Sequence, residues 1–155
     1  MSYVVTGLPL AAFQPLFGLS DAELAERHII RMPVTAKPGF PCRITLADAE
    51  PGETVLLLNH EHQAAATPYR SSHAIFVREA ATETATVTDA IPESLATRLL
   101  SVRAFDAAGM MVDADVVEGA DLEALISRMF ADEAVAYLQA HNARRGCYAA
   151  RIELG

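Results

Sequence analysis

Apolar positions along this chain alternate, or gather in short blocks, more often than they recur at helical spacing, so strands are expected to dominate. Tyr3–Thr6 reads as a short strand. Ser20 followed by Glu23 matches a capping box and starts a short helix over Asp21–Arg27, with a strand at His28–Val34 behind it. Lys37-Pro38-Gly39-Phe40-Pro41 forces extended and turn geometry and delivers Cys42-Arg43 to the start of a strand. Glu50-Pro51-Gly52-Glu53 has the type II turn pattern, and the apolar run in Thr54–His60 predicts a strand buried on both faces. Gln63–Ser72 reads as a loop, His73–Glu79 as a strand, Ala80–Thr88 as a surface crossing, and Asp89 to Ala96 as a short helix with Pro92 in its first turn. Asp121–Ala131 carries Leu122, Leu125, Ile126 and Met129 at helical spacing behind a capping Asp121. Ala134–His141 and Cys147–Leu154 form a last hairpin. The expectation is an α+β fold over residues 1–155 as a single domain, with a largely antiparallel sheet that has the means to curl toward a barrel and two or three short helices.

One hairpin allows a register to be read. Arg98–Asp106 and Met110–Val117 flank Ala107-Ala108-Gly109, a three-residue loop with glycine in the left-handed position. That loop sets Leu100 opposite Val116, Val102 opposite Ala114 and Ala104 opposite Val112. On the other face it pairs Arg103 with Asp113 and Ser101 with Asp115. A two-residue loop would set apolar against polar along the ladder.

Composition narrows the function. The chain has 155 residues, 52% of them apolar, and a formal charge of −8 from 20 acidic and 12 basic side chains. Mean hydropathy is +0.20. No basic cluster exceeds Arg144-Arg145 and the one lysine is Lys37, so neither a nucleic-acid backbone nor an anionic membrane is an expected partner. The apolar N-terminal stretch lacks a positive leader region and is broken by Pro9, Gln14 and Pro15, which reads as folded chain. No run of about 18 apolar residues occurs to span a membrane. Two cysteines without an export signal point to reduced thiols in the cytoplasm. The high apolar content leaves surface for a homo-oligomer interface.

The candidate chemistry concentrates between Pro38 and Glu79 and at the second cysteine. Cys42 and Cys147 are nucleophile or redox-thiol candidates, each with an arginine (Arg43, Arg151) within four residues; the plainer reading is two buried thiols packed as small hydrophobes. His60 and His62 form an H-x-H that could join Cys42, Cys147 or His73 around zinc, but the spacing fits no established zinc pattern and no metal is expected. Pro68-Tyr69-Arg70-Ser71-Ser72-His73 offers an aromatic, a cation, two hydroxyls and an imidazole, a set suited to a small anion. Ser71 or Ser72, His73 and Asp113 could be assembled into a triad on paper, without a G-x-S-x-G elbow to support it.

Several stretches together resemble one bacterial family, domain of unknown function 1203. They are Gly39-Phe40-Pro41-Cys42-Arg43, Pro68-Tyr69 with Ala74-Ile75-Phe76-Val77, Arg103-Ala104-Phe105-Asp106 with Gly109, and Asn142-Ala143-Arg144-Arg145-Gly146-Cys147-Tyr148. The resemblance runs from about Pro33 to Glu153, and the matching family residues are Pro41, Cys42, Arg43, Tyr69, Gly109, Gly146 and Cys147. It implies a small single-domain bacterial protein and supplies no activity, substrate or cofactor. The histidines of the H-x-H and His73 fall outside the family pattern.

The leading expectation is binding of a small anionic molecule or a protein partner, without catalysis and without a cofactor. The pocket would lie between Cys42-Arg43, the Tyr69–His73 loop and Cys147, with Arg43, Tyr69, Arg70 and His73 as ligand contacts. The alternative is a cysteine-dependent enzyme or redox thiol protein using Cys42 or Cys147. A third reading is a structural or assembly subunit.

Overall fold

The computed structural model describes residues 1–155. Nine strands make up two antiparallel sheets: β1 (Tyr3–Thr6), β2 (Ile30–Pro33), β3 (Thr54–Gln63), β4 (Ser71–Arg78), β5 (Thr86–Thr88), β6 (Leu99–Phe105), β7 (Met111–Glu118), β8 (Tyr137–Asn142) and β9 (Tyr148–Leu154). One sheet has the order β5-β1-β9-β8-β6-β7 and the other β2-β3-β4; both are open, and neither closes into a barrel. Four short helices accompany them: α1 (Leu10–Phe13), α2 (Asp21–Glu26), α3 (Glu93–Ala96) and α4 (Leu122–Phe130). The fold is α+β and largely antiparallel. No helix is long and apolar enough to cross a membrane.

Each sheet is stabilised by its own core. Leu122, Ile126 and Met129 of α4 bury against Val102, Ala104, Leu138, Ala140 and Ile152 of the larger sheet. The apolar stripe of α4 is thus used in full. Leu24 of α2 and Phe13 of α1 pack with Leu56, Leu58, Ile75 and Val77 of the smaller sheet, together with Cys42 and Tyr148. Val55, on the opposite face of β3, joins Val34 and Ala49, so the run in β3 is buried on both faces. Ser20 accepts from the Glu23 N–H at 3.1 Å and donates to its carboxylate at 3.0 Å, which starts α2 as the capping pattern predicts.

Several expectations need correction. Cys42 and Arg43 do not open a strand. Pro41 and Cys42 make isolated bridges, and Arg43 begins a tight turn in which Leu46 N–H donates to the Cys42 carbonyl at 3.0 Å and Leu46 has φ +56. Ala80–Thr88 is not only a crossing, because Thr86–Thr88 pairs with β1 as an edge strand.

The β6–β7 register also differs. The turn forms as expected, with Gly109 at φ +84 and Asp106 N–H donating to the Met110 carbonyl at 2.9 Å. A bulge then follows between Phe105↔Met111 and Ala104↔Asp113, so Arg103 sits opposite Ala114 instead of Asp113. The bulge turns Asp113 and Asp115 toward α4, where Arg128 reaches them at 3.1 and 3.0 Å. It also places Val117 against the larger core, while Val112 and Val116 stay exposed.

Candidate functional site

The turn after Pro41 positions the site. The Cys42 sulfur points inward and accepts from three backbone N–H groups, those of Ile44 (3.4 Å), Thr45 (3.4 Å) and Arg78 (3.3 Å). It ties the turn onto β4. Arg43 leaves the turn toward the β8–β9 hairpin. Its Nε donates to the Tyr148 carbonyl at 2.7 Å, Nη1 to the Pro41 carbonyl, and Nη2 to the Cys147 sulfur at 3.0 Å. The hairpin end is shaped by Gly146, whose φ of +78 suits glycine and brings Cys147 back beside Asn142. Asn142 Nδ2 lies 3.6 Å from the same sulfur, while its Oδ1 is buried without a partner.

These groups border a cleft of about 410 Å³. Arg43, Arg98, Arg144, Arg145, Asn142 and Cys147 line it, with Phe76 of β4 on one wall and Glu118 at the end of β7. Four guanidiniums thus face one carboxylate in a chain whose overall charge is −8. Arg98 is already neutralised, because it forks both oxygens of buried Asp48 and also donates to the Ser94 carbonyl at 2.8 Å. Arg43, Arg144 and Arg145 form no ion pair with a carboxylate. Arg43 is the unusual member, with only 2% of its surface exposed. Burial pushes its pKa down, and the neighbouring Cys147 pushes the other way. A buried guanidinium hydrogen-bonded to two carbonyls and a thiol has its donors partly satisfied and its charge unpaired.

The other expected contacts lie elsewhere. Tyr69 stacks edge-on to Phe105 with ring centres 6.4 Å apart, and Thr67 donates to the Gly109 carbonyl. That loop covers the Phe105 end of β6, whereas the cleft borders Leu99 at its other end, six residue steps or roughly 20 Å away. Arg70 pairs with Glu61 at 3.0 Å. His73 faces His60 across β3–β4, and neither lines the cleft. Of the residues expected around one pocket, Arg43 and Cys147 line the cleft, and Cys42, Tyr69, Arg70 and His73 do not. A surface loop of ligand-friendly composition says nothing about which end of the sheet it covers.

The histidines form a separate polar seam between the two sheets. His62 Nδ1 meets Gln139 Oε1 at 3.0 Å and Nε2 meets Ser71 Oγ at 3.2 Å. His141 sits on the same Gln139 oxygen at 3.2 Å and on the Gly146 carbonyl at 3.1 Å. Burial, then the nearby Arg103 charge, holds His141 down to about 3. Burial likewise lowers His60 and His62. Ser71 therefore serves His62, and no triad with His73 and Asp113 exists. No three His, Cys, Asp or Glu side chains come close enough together to hold a metal, so His60 and His62 are not joined by Cys42, Cys147 or His73.

Sequence reading missed Arg98, Glu118 and Asn142, which come from three separate strand or helix ends. Arg144-Arg145 was visible as the largest basic cluster, and its position one residue before Gly146-Cys147 is the signal that could have joined it to the thiol.

The fold and the cleft define an antiparallel α+β protein with arginines gathered over a recessed thiol. The chain belongs to the family described as protein of unknown function DUF1203, whose model matches residues 39–153. That span includes every residue lining the cleft, from Gly39 to Cys147, and excludes α1, α2, β1 and β2. No curated protein and no solved structure matches the chain.

Proposed function

We propose that this protein binds a small anionic molecule in the cleft between the Arg43 turn and the β8–β9 hairpin. The observation that carries the reading is the set of three guanidiniums without carboxylate partners around one cavity of about 410 Å³. Arginine forks carboxylates and phosphates through paired donors, and a recessed site strengthens each such bond. Arg43 supports the floor of the cleft, while Arg144 and Arg145, exposed on the hairpin, are free to close on a ligand. Two unpaired thiols favour a reducing compartment such as the cytoplasm.

Thermal unfolding in the presence of inorganic phosphate and of citrate tests this. A ligand at about a hundred times its Kd adds about 2.7 kcal/mol, which for a chain of this size is a rise in Tm of roughly 5–10 °C. The Arg144→Ala/Arg145→Ala double variant should lose most of that rise, while Arg70→Ala should keep it. Equal shifts in all three proteins, or no shift with any anion, would overturn the proposal.

A further inference from the structure

We propose that Cys147 forms a mixed disulfide with a small carboxylate-bearing disulfide, which Arg144 and Arg145 guide into the cleft. This deepens the anion-binding reading and rests on it.

Three observations converge on the sulfur. Its residue, Cys147, lines the cavity. It receives an N–H from Arg43 at 3.0 Å and has the Asn142 amide at 3.6 Å. The guanidinium that touches it is buried and pairs with no carboxylate, so the sulfur sits against an uncompensated positive charge. Asn142 Oδ1, also buried and unpartnered, leaves a further polar atom of the same lining unsatisfied. A buried polar atom of this kind calls for a partner, which a ligand or an ordered water supplies.

The chemistry balances without any added oxidant. The Cys147 sulfur gives its proton to solvent and attacks one sulfur of the incoming disulfide. A new S–S bond forms to Cys147 as the ligand's own S–S bond breaks. The departing half leaves as a thiolate and takes up a proton. Cys147 is oxidised and the departing half is reduced.

The protein provides no second thiol to resolve the adduct. Cys42 is the only other cysteine, and its sulfur is enclosed by three backbone amides and the smaller core. The adduct therefore persists until an external thiol removes it, and while it persists its carboxylate occupies the arginines.

Two aromatic disulfides separate the parts of this proposal: dithionitrobenzoate, which carries two carboxylates, and the neutral dithiodipyridine. In the folded protein one thiol per chain should react with either, and Cys147→Ser should abolish that reaction. Arg144→Ala/Arg145→Ala should slow dithionitrobenzoate about tenfold or more, the range of electrostatic guidance, and slow the neutral dithiodipyridine far less. If no thiol reacts before unfolding, the covalent proposal is overturned, while the anion-dependent Tm of Cys147→Ser still reports on binding alone. If both reagents react but the arginine changes slow neither, the proposed substrate class is overturned.

Discussion

Cys42 and Cys147 are both recessed, and Arg43 is next to one in sequence and hydrogen-bonded to the other, yet their sulfurs are held by different kinds of donor. Cys42 accepts from the N–H groups of Ile44, Thr45 and Arg78. Backbone donors cannot swing away without breaking the turn or the strand, so this sulfur is a fastener. Cys147 accepts from the side chains of Arg43 and Asn142, and the residue lines the cleft. Side-chain donors can follow a sulfur that changes its bonding. Both thiols are nearly sealed, 1% exposed for Cys42 and 7% for Cys147, and the contrast between them lies in whether the donors around the sulfur are fixed or mobile.

The largest expected effect is on alkylation. Iodoacetamide should modify Cys42 only through global unfolding, which makes it slower than in the denatured chain by about a thousandfold or more, whereas Cys147 should react in the native state. Peptide mass mapping of a short labelling pulse reads this directly, and label appearing first on Cys42 would break the comparison. Stability comes next. Cys42→Ala leaves one buried and two part-buried amides without an acceptor, at up to about 1 kcal/mol each, so urea unfolding should show a loss of about 2–3 kcal/mol. Cys147→Ala frees side-chain donors that water in the cleft can satisfy, and about 1 kcal/mol or less is expected. Equal losses would mean that Cys147 is as structural as Cys42.

Sequence patterning carried the local elements well. The α4 stripe, the Ser20 cap, the Gly109 turn and the last hairpin are all short-range features written in neighbouring residues. It failed where distant groups decide. The Cys42 turn owes its shape partly to a hydrogen bond from Arg78 on β4, and β5 exists because Thr86–Thr88 finds β1. The slip in β7 brings its two aspartates to a guanidinium on α4. The site was half legible for the same reason. Arg43 and Cys147 stood out as residue types, but Arg98, Glu118 and Asn142 reach the cleft from strand and helix ends whose proximity only the sheet order creates.

The smallest effect extends the comparison from sulfurs to arginines. Arg31 is held by carboxylates, bonding Glu79 at 2.7 Å and Asp21 at 2.6 Å, whereas Arg43 has none. The Arg31 hydrogen bonds hold Glu79 down to about 2, below the roughly 4.3 of an unfolded glutamate. The stabilisation is therefore complete above the unfolded value. As pH falls, the unfolded chain takes up the proton first, and stability is lost progressively until Glu79 itself protonates near pH 2. Partial exposure of the pair limits the effect to about 1 kcal/mol. Between about pH 5 and pH 2, Glu79→Gln should flatten this part of the stability curve. Over the same range native-state labelling of Cys147, compared between wild type and Glu79→Gln at each pH, should not differ, because no carboxylate pairs with Arg43. A Cys147 rate that followed Glu79 would show that the two ends of the molecule are coupled, and the cleft could no longer be treated as an independent site.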